Sequence, residues 1–330
     1  MGTSRRPTLA RLKTILKRQT NPTWGPDYTP SILAVRGEAP SLSHALTIIP
    51  EKLSGREVHL LSLSECFAAL LGLYNPNVVG LQEQRMLSSG PSAHPLHNYP
   101  GAIVGGLTPL KGIIDAAERL GYLKMLPRVR LEDPENEGQR REIVFPYIGD
   151  LLWTLQGTNG RHYCINWSVK DSESAFKRPL QHKRFITPRG QISTGVLERH
   201  ELERTYYADA GIRTVLVSGE AIDEHVRANL QNLFLYQNRT VNLPKDVQSE
   251  LLARFHDCLE TGTPPNELIV RLAGFGKYSI EDCKNVLYQG IWHRKLRVDL
   301  LQPILIDRPL KPETQDVLDI YEKWFAETTC

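Results

Sequence analysis

The segment 144–170, VFPYIGDLLWTLQGTNGRHYCINWSVK, constrains the fold of this chain more than any other stretch. Runs rich in Leu, Ile, Val, Trp and Tyr flank Gly157-Thr158-Asn159-Gly160, and Asn-Gly between such runs is a strong β-hairpin signal. Two registers are open. If Asn159 and Gly160 alone form the loop, Asp150 pairs with Val169 and shares a face with Trp167, with Lys170 on the other face. If Thr158, Asn159 and Gly160 form a three-residue loop with Gly160 left-handed, Asp150 faces Ser168 and sits diagonal to Lys170. The second register is preferred because it sorts Tyr163, Ile165, Trp167 and Val169 onto one apolar face and Cys164, Asn166, Ser168 and Lys170 onto the other. Asp150 and Lys170 then form either a plain cross-strand ion pair on a solvated face, or a place for a divalent metal and a cation beside a phosphodiester.

Composition bounds the alternatives. The 330 residues exceed a comfortable single core, so two domains are expected. Hydrophobic residues make up 41% and charged residues 23%, as in a soluble globular protein. No run reaches the roughly 18 apolar residues of a membrane span, and the basic amino terminus lacks the apolar stretch of a secretory signal. Cys66, Cys164, Cys258, Cys283 and Cys330 are widely spaced with no CxxC, which suggests neither a disulfide framework nor a zinc ribbon and fits a reducing cytoplasm. A net charge of +3 neither demands nor excludes nucleic acid, so the distribution of charge matters more.

That distribution is uneven. Arg5, Arg6, Arg11, Lys13, Lys17 and Arg18 occupy the first eighteen residues with no acid among them: an arm for phosphates or a partner, or a merely solvating tail. Loops and short strands follow to about residue 55. At 58–65 a short strand runs into a helix with Phe67, Leu70, Leu71 and Tyr74 at helical spacing, ended by Asn75-Pro76. Ser62 and Glu65 have capping-box spacing, so Glu65 either closes the helix start or faces a substrate beside the small residues Ala69 and Gly72. An alternating strand follows at 80–85. His94 and His97 lack metal-ligand spacing, 110–123 is helical, and 132–141 is a charged loop.

Beyond the hairpin, Lys177, Arg178, His182, Lys183, Arg184 and Arg189 form a basic loop suited to tracking a nucleic-acid backbone, or simply a polar connection. A helix over 197–210, closed by Gly211, carries Glu203, Arg204, Tyr206 and Tyr207, and 212–218 is a strand buried behind it. A helix over 222–236 closes the first domain and 238–244 links to a second. There, helices at 245–260, 264–272 and 280–289 precede a hairpin from 291–300 and 304–306 that exposes His293, Arg294, Lys295 and Arg297, the pattern of a winged helix-turn-helix. Residues 312–327 read as a terminal helix packing through Val317, Ile320, Tyr321 and Trp324.

Glu65, Asp150, Ser168-Val169-Lys170 and Glu203 thus form an ordered series of acid, acid, x-x-Lys and acid on helix, strand, strand and helix. This series resembles the restriction-enzyme-like nuclease core. More narrowly, Leu63-Ser64-Glu65, the run 74–84 (YNPNVVGLQEQ), Leu202-Glu203-Arg204-Thr205-Tyr206-Tyr207 and Leu296-Arg297-Val298-Asp299-Leu300 resemble TnsA, the endonuclease subunit of Tn-seven-type transposases. The resemblance implies an α/β fold: a basic arm and loops over 1–55, a restriction-endonuclease-like domain with a mixed sheet flanked by helices over 56–238, a winged domain over 239–310, and a terminal helix over 311–330.

It further implies a bacterial, nucleoid-associated DNA endonuclease cutting the non-transferred strands at transposon ends with Mg²⁺ or Mn²⁺. Its partners would be transposon-end DNA, a TnsB-like integrase-fold transposase and a TnsC-like AAA+ ATPase. Asp150 is then the central metal ligand, Glu65 the second, Glu203 an outer one and Ser168 a weak one, with Lys170 a charged donor to phosphate. Arg5, Arg6, Lys177, Arg178, Lys183, Arg184, His293, Arg294, Lys295 and Arg297 are expected on DNA. The chain departs from the family pattern at Ser168, where Gln, Glu or Asp is usual, and in the long insertion over 86–143. The alternative is an inactive DNA-binding or assembly subunit that keeps the fold.

Overall fold

The structure, a computed structural model, describes residues 7–40, 43–132, 140–177, 185–186, 192–193, 196–276 and 278–327. The chain divides into two compact units. One comprises 1–68, 77–221 and 326–330, and the other 69–76 and 222–325.

The first unit opens with helix α1 (Leu9–Gln19), started by the Thr8 hydroxyl accepting from Arg11 N–H. Leu12, Ile15 and Gln19 share its buried face, and the two apolar residues pack with Val129 and Phe145. The basic arm is therefore a docked amphipathic helix over this stretch rather than a solvating tail, with Arg18 bound by both oxygens of Glu38 at 2.7 and 2.9 Å. Strand β1 (Leu46–Ile48) pairs antiparallel with β2 (Val58–Leu60). Helix α2 (Leu63–Tyr74) follows at once and stops before Pro76, as its spacing predicts.

The main sheet is built from β3 (Val78–Glu83) and three later strands, after helix α3 (Ile113–Leu120) and the antiparallel pair β4 (Arg128–Glu132) and β5 (Arg140–Val144). Strands β6 (Leu151–Gln156) and β7 (His162–Lys170) form the expected hairpin. The two-residue strands β8 (Phe185–Ile186) and β9 (Ile192–Ser193), helix α4 (Val196–Ala208) and strand β10 (Arg213–Ser218) complete the unit. The sheet runs β10-β7-β6-β3, with β10 parallel to β7 and the other pairs antiparallel. It is a mixed sheet flanked by helices, ordered along the chain as helix, three antiparallel strands, helix and parallel strand.

The hairpin adopts the three-residue loop. Leu151 pairs with Trp167 and Gln156 with His162, which sets Asp150 level with Ser168. Gly157 N–H donates to Arg161 C=O at 2.8 Å, Gly160 N–H returns to Gly157 C=O, and Gly160 has φ +77°. The expected polar face, however, is buried: Asn166 and Ser168 are 0% and 2% exposed, and Cys164 joins the core between α3 and α4. The insertion packs on Cys164, since Ile113, Ala116 and Ala117 cluster with it and with Leu202, Tyr206 and Ala210, while Asn166 and Ser168 meet Glu203 and His200 of α4.

Two further expectations change. β3 does not alternate, because Gln82 and Glu83 are both buried. Glu83 is held by Arg56 through two hydrogen bonds of 2.9 and 2.7 Å. β10 is an edge strand with Leu216 44% exposed, so it is not buried along its length.

The second unit holds α5 (Glu224–Phe234), α6 (Lys245–Thr261), α7 (Pro265–Gly274), α8 (Ile280–Trp292), α9 (Val317–Ile320) and α10 (Glu322–Phe325). Helix α5 belongs here and not with the preceding domain, moving the expected 238/239 boundary to 221/222. The cause is visible in Asn229, which donates to Leu300 and Gln302 C=O at 2.9 and 2.8 Å and accepts from Ile304 N–H at 3.1 Å.

The expected wing does not form. Ile291 and Trp292 continue α8, with Gly290 letting Leu252 of α6 approach. Arg294 at φ +59° ends it, and the N–H groups of Lys295 and Leu296 close on Gly290 C=O. Pro303, Pro309 and Pro312 lack the N–H that a ladder needs, and among the described residues 293–316 hold one isolated bridge, Val298 to Pro312. Helix α8 is also the buried centre of the unit, with Cys283, Leu287 and Ile291 at 0% exposure. The terminal helix is two single turns separated at Tyr321. Val317, Tyr321 and Phe325 are buried, whereas Ile320 is 39% exposed.

Candidate functional site

Asp150 stands at the mouth of β6, where its neighbour Gly149 leaves the space beside it free of a side chain. Its Oδ2 accepts from Val169 N–H at 2.7 Å and lies 3.5 Å from Lys170 Nζ, which also donates to Val169 C=O at 2.7 Å. Asp150 and Lys170 therefore share a face at the open end of the hairpin, as the three-residue loop requires. Both side chains keep some solvent contact, and an ion pair of this length and exposure contributes little to stability, on the order of 1 kcal/mol or less. Stability alone gives a weak reason for the pair.

Glu65 fulfils the capping role that its spacing predicts. Its Oε2 accepts from Leu61 N–H at 2.8 Å, its Oε1 from the Ser62 hydroxyl at 3.2 Å, and Ser62 Oγ accepts from Glu65 N–H. It is nevertheless more than a cap. Gln84 Nε2 donates to Glu65 Oε2 at 2.9 Å while Gln84 N–H donates to Asp150 C=O at 2.9 Å, so one residue ties the helix start to the Asp150 strand. Gln84 does this from a left-handed backbone, φ +49°, which a side chain with a Cβ adopts at a cost. Burial pushes the Glu65 carboxyl up to about 8, and the like charge of Asp150 adds to it against the Leu61 N–H and Lys170.

Glu203 comes from α4 and is 4% exposed. Asn166 Nδ2 donates to its Oε1 at 2.9 Å and reaches Thr214 Oγ1 at 3.3 Å. Burial, then the charge of Asp150, raises the Glu203 carboxyl above its ordinary range. A Cβ on Gly149 would come 3.4 Å from Glu203 Oε1 and 3.5 Å from Asn166 Oδ1, and that Oδ1 is a buried acceptor without a donor. Ser168, on the same face as Asp150, lies 3.4 Å from His200 Nδ1. Burial lowers His200 to about 4, with Lys170 and Arg199 acting in the same direction and Asp150 opposing.

No protein-family model and no curated protein matches this chain.

The structure thus gathers Glu65, Asp150, Ser168, Lys170 and Glu203 from α2, the start of β6, β7 and α4 into one electrostatic neighbourhood. Among the described residues no three of His, Cys, Asp and Glu stand as a ready-made metal cage. Glu65 and Glu203 instead direct oxygens at protein donors. The donor chemistry still fits a hard divalent cation: three carboxylates, a hydroxyl and an orphaned amide oxygen, with two of the carboxyls raised by burial first and by the charge of the third second.

Of the residues expected on DNA, Arg5, Arg6, Arg178, Lys183 and Arg184 lie outside the described residues. Lys177, His293 and Lys295 are exposed. Arg294 and Arg297 do not project from a wing. Both bind Asp316, and Arg297 also pairs with Glu313. His200, Gln84 and Asn166 escaped the sequence reading as site residues. For His200 a signal existed, since it precedes Glu203 by three residues and so shares its helical face. For Asn166 and Gln84 the contacts are set by tertiary packing.

Proposed function

We propose that this chain is a metal-dependent DNA endonuclease with a restriction-endonuclease-like core, acting as the TnsA-like subunit that cuts the non-transferred strands at transposon ends. The observation that carries this reading is the convergence of two buried, charge-destabilised carboxyls on an Asp–Lys pair at the open end of a mixed sheet. Buried like charges of this kind cost stability, and sites that must hold charge for chemistry are where they gather. The carriers also follow the order helix, strand, strand, helix that the resemblance implies.

Asp150, Glu65 and Glu203, with Ser168 as a weak donor, would hold Mg²⁺ or Mn²⁺. Such an ion, when bound, supplies a nucleophile at neutral pH and neutralises charge on phosphate oxygens. Lys170 stays within reach of the same space and acts as a charged donor to a nonbridging phosphate oxygen, a role suited to a lysine facing carboxylates. Gln84 and Asn166 fix the two glutamates. Transposon-end DNA, a TnsB-like transposase and a TnsC-like ATPase are the proposed partners.

One observation favours a second reading, an inactive assembly subunit with the same fold: both glutamates already spend oxygens on protein donors, and Ser168 replaces a longer polar residue. Strand nicking on transposon-end DNA, with Mg²⁺ and the partner transposase, separates the two. Asp150→Ala is expected to abolish cleavage of the non-transferred strand while leaving complex assembly intact. Equal cleavage by the variant sinks the nuclease reading, and no cleavage by either protein favours the assembly subunit.

A further inference from the structure

Ser168, the residue opposite Asp150, is met by a side chain from another element. Ser168 on β7 and His200 on α4 are 2% and 5% exposed, and the hydroxyl meets Nδ1 at 3.4 Å. The imidazole is wedged edge-on against Phe176, with ring centroids 5.2 Å apart. Two residues back along β7, Asn166 makes the equivalent reach to Glu203, three residues on along α4. A spacing of two on a strand covers ~7 Å and a spacing of three on a helix ~5 Å, so the two contacts form successive rungs between the elements. One rung fixes a carboxylate of the site and the other fixes the residue opposite Asp150. A buried Ser–His contact contributes little that apolar packing would not, so stability alone does not account for it.

We propose that His200 is a positioning residue of the site, which through its contact with Ser168 fixes the side chain opposite Asp150. This inference rests on the metal-dependent reading of the site. His200 holds the Ser168 hydroxyl toward Asp150 and keeps α4, and with it Glu203, in register with β7.

Calorimetric titration of the full chain with Mn²⁺ alone tests it. His200→Leu keeps the packing against Phe176 and removes both nitrogens, and is expected to weaken Mn²⁺ binding at least ~10-fold, as loss of residues that orient ligands does. Ser168→Gln combined with His200→Leu is expected to recover most of that loss, because one long side chain then replaces the pair; a merely structural histidine would not be rescued from the strand. If His200→Leu fails to fold, His200→Phe keeps a ring against Phe176, removes both nitrogens and is expected to show the same loss. Wild-type affinity in His200→Leu, or in His200→Phe where the former does not fold, overturns the inference, as does a double variant no tighter than His200→Leu. Asp150→Ala separates the two levels. Binding lost in Asp150→Ala but kept in His200→Leu overturns the role of His200 alone, whereas binding indifferent to Asp150→Ala overturns the metal-site reading and this inference with it.

Discussion

Glu65 is asked to do two incompatible things, and its titration is the measurable result. The Leu61 N–H from which it accepts as a cap favours its charged form, while burial and Asp150 penalise that charge and push the group from its ordinary 4.5 to about 8. A carboxyl raised in the folded state stabilises the fold fully below its unfolded value and loses that contribution as pH rises through the folded one. In chelator-treated protein, Glu65→Gln is therefore expected to raise the unfolding midpoint at pH 8 and to leave it nearly unchanged near pH 4.5. Thermal scans across that window check it, and a variant less stable than wild type at pH 8 contradicts it. The same substitution is expected to lose strand cleavage, the usual trade between stability and function at a working site.

Among the elements, the start of α2 depends on a close approach that no periodicity encodes. Ser64 hydrogen-bonds Asp171 at 2.8 Å, and a Cβ on Gly219 would stand 2.7 Å from Ser64 Cβ and 3.2 Å from its Cα. Gly219→Ala must push back the first turn of α2, which also carries Glu65. It is expected to destabilise the protein by ~1–3 kcal/mol, the usual range for overpacking, and to reduce cleavage more than stability alone explains. Denaturant titration paired with nicking rates tests this, and unchanged activity in a folded variant counts against the coupling. The hairpin element behaved as its own turn chemistry dictates: Gly160 takes a positive φ at no steric cost, and that single loop length decides which side chains face Asp150.

The chain divides into two compact units, so two-state unfolding is not the expectation. In the second unit Asn229 donates to the C=O of exposed Gln302 and satisfies two buried backbone groups, Leu300 C=O and Ile304 N–H. Asn229→Ala strands them and is expected to cost ~1–3 kcal/mol per group left unpaired. Calorimetry is expected to show one transition moved down with the other in place, and a single transition shifted as a whole would contradict the division. The enclosure of α8 by its neighbours also moves any nucleic-acid contact in this unit away from that helix.

Local chemistry alone determined the hairpin and its register, the capped start of α2 at Ser62, and the helix carrying Glu203, because turn residues, caps and amphipathic spacing act over a few residues. It also set Asp150 and Lys170 on one face. Tertiary structure alone decided the rest. Asn166 and Ser168 looked solvated because alternation cannot tell a face open to water from one covered by α4, and their partners Glu203 and His200 lie more than thirty residues away in sequence. The wing failed because continuing α8 to Trp292 satisfied its backbone, whereas the prolines that follow leave a strand ladder without donors. The carboxyls of Glu65 and Glu203 are ordinary in composition and spacing. They are set apart only by burial beside Asp150, and burial belongs to the folded chain.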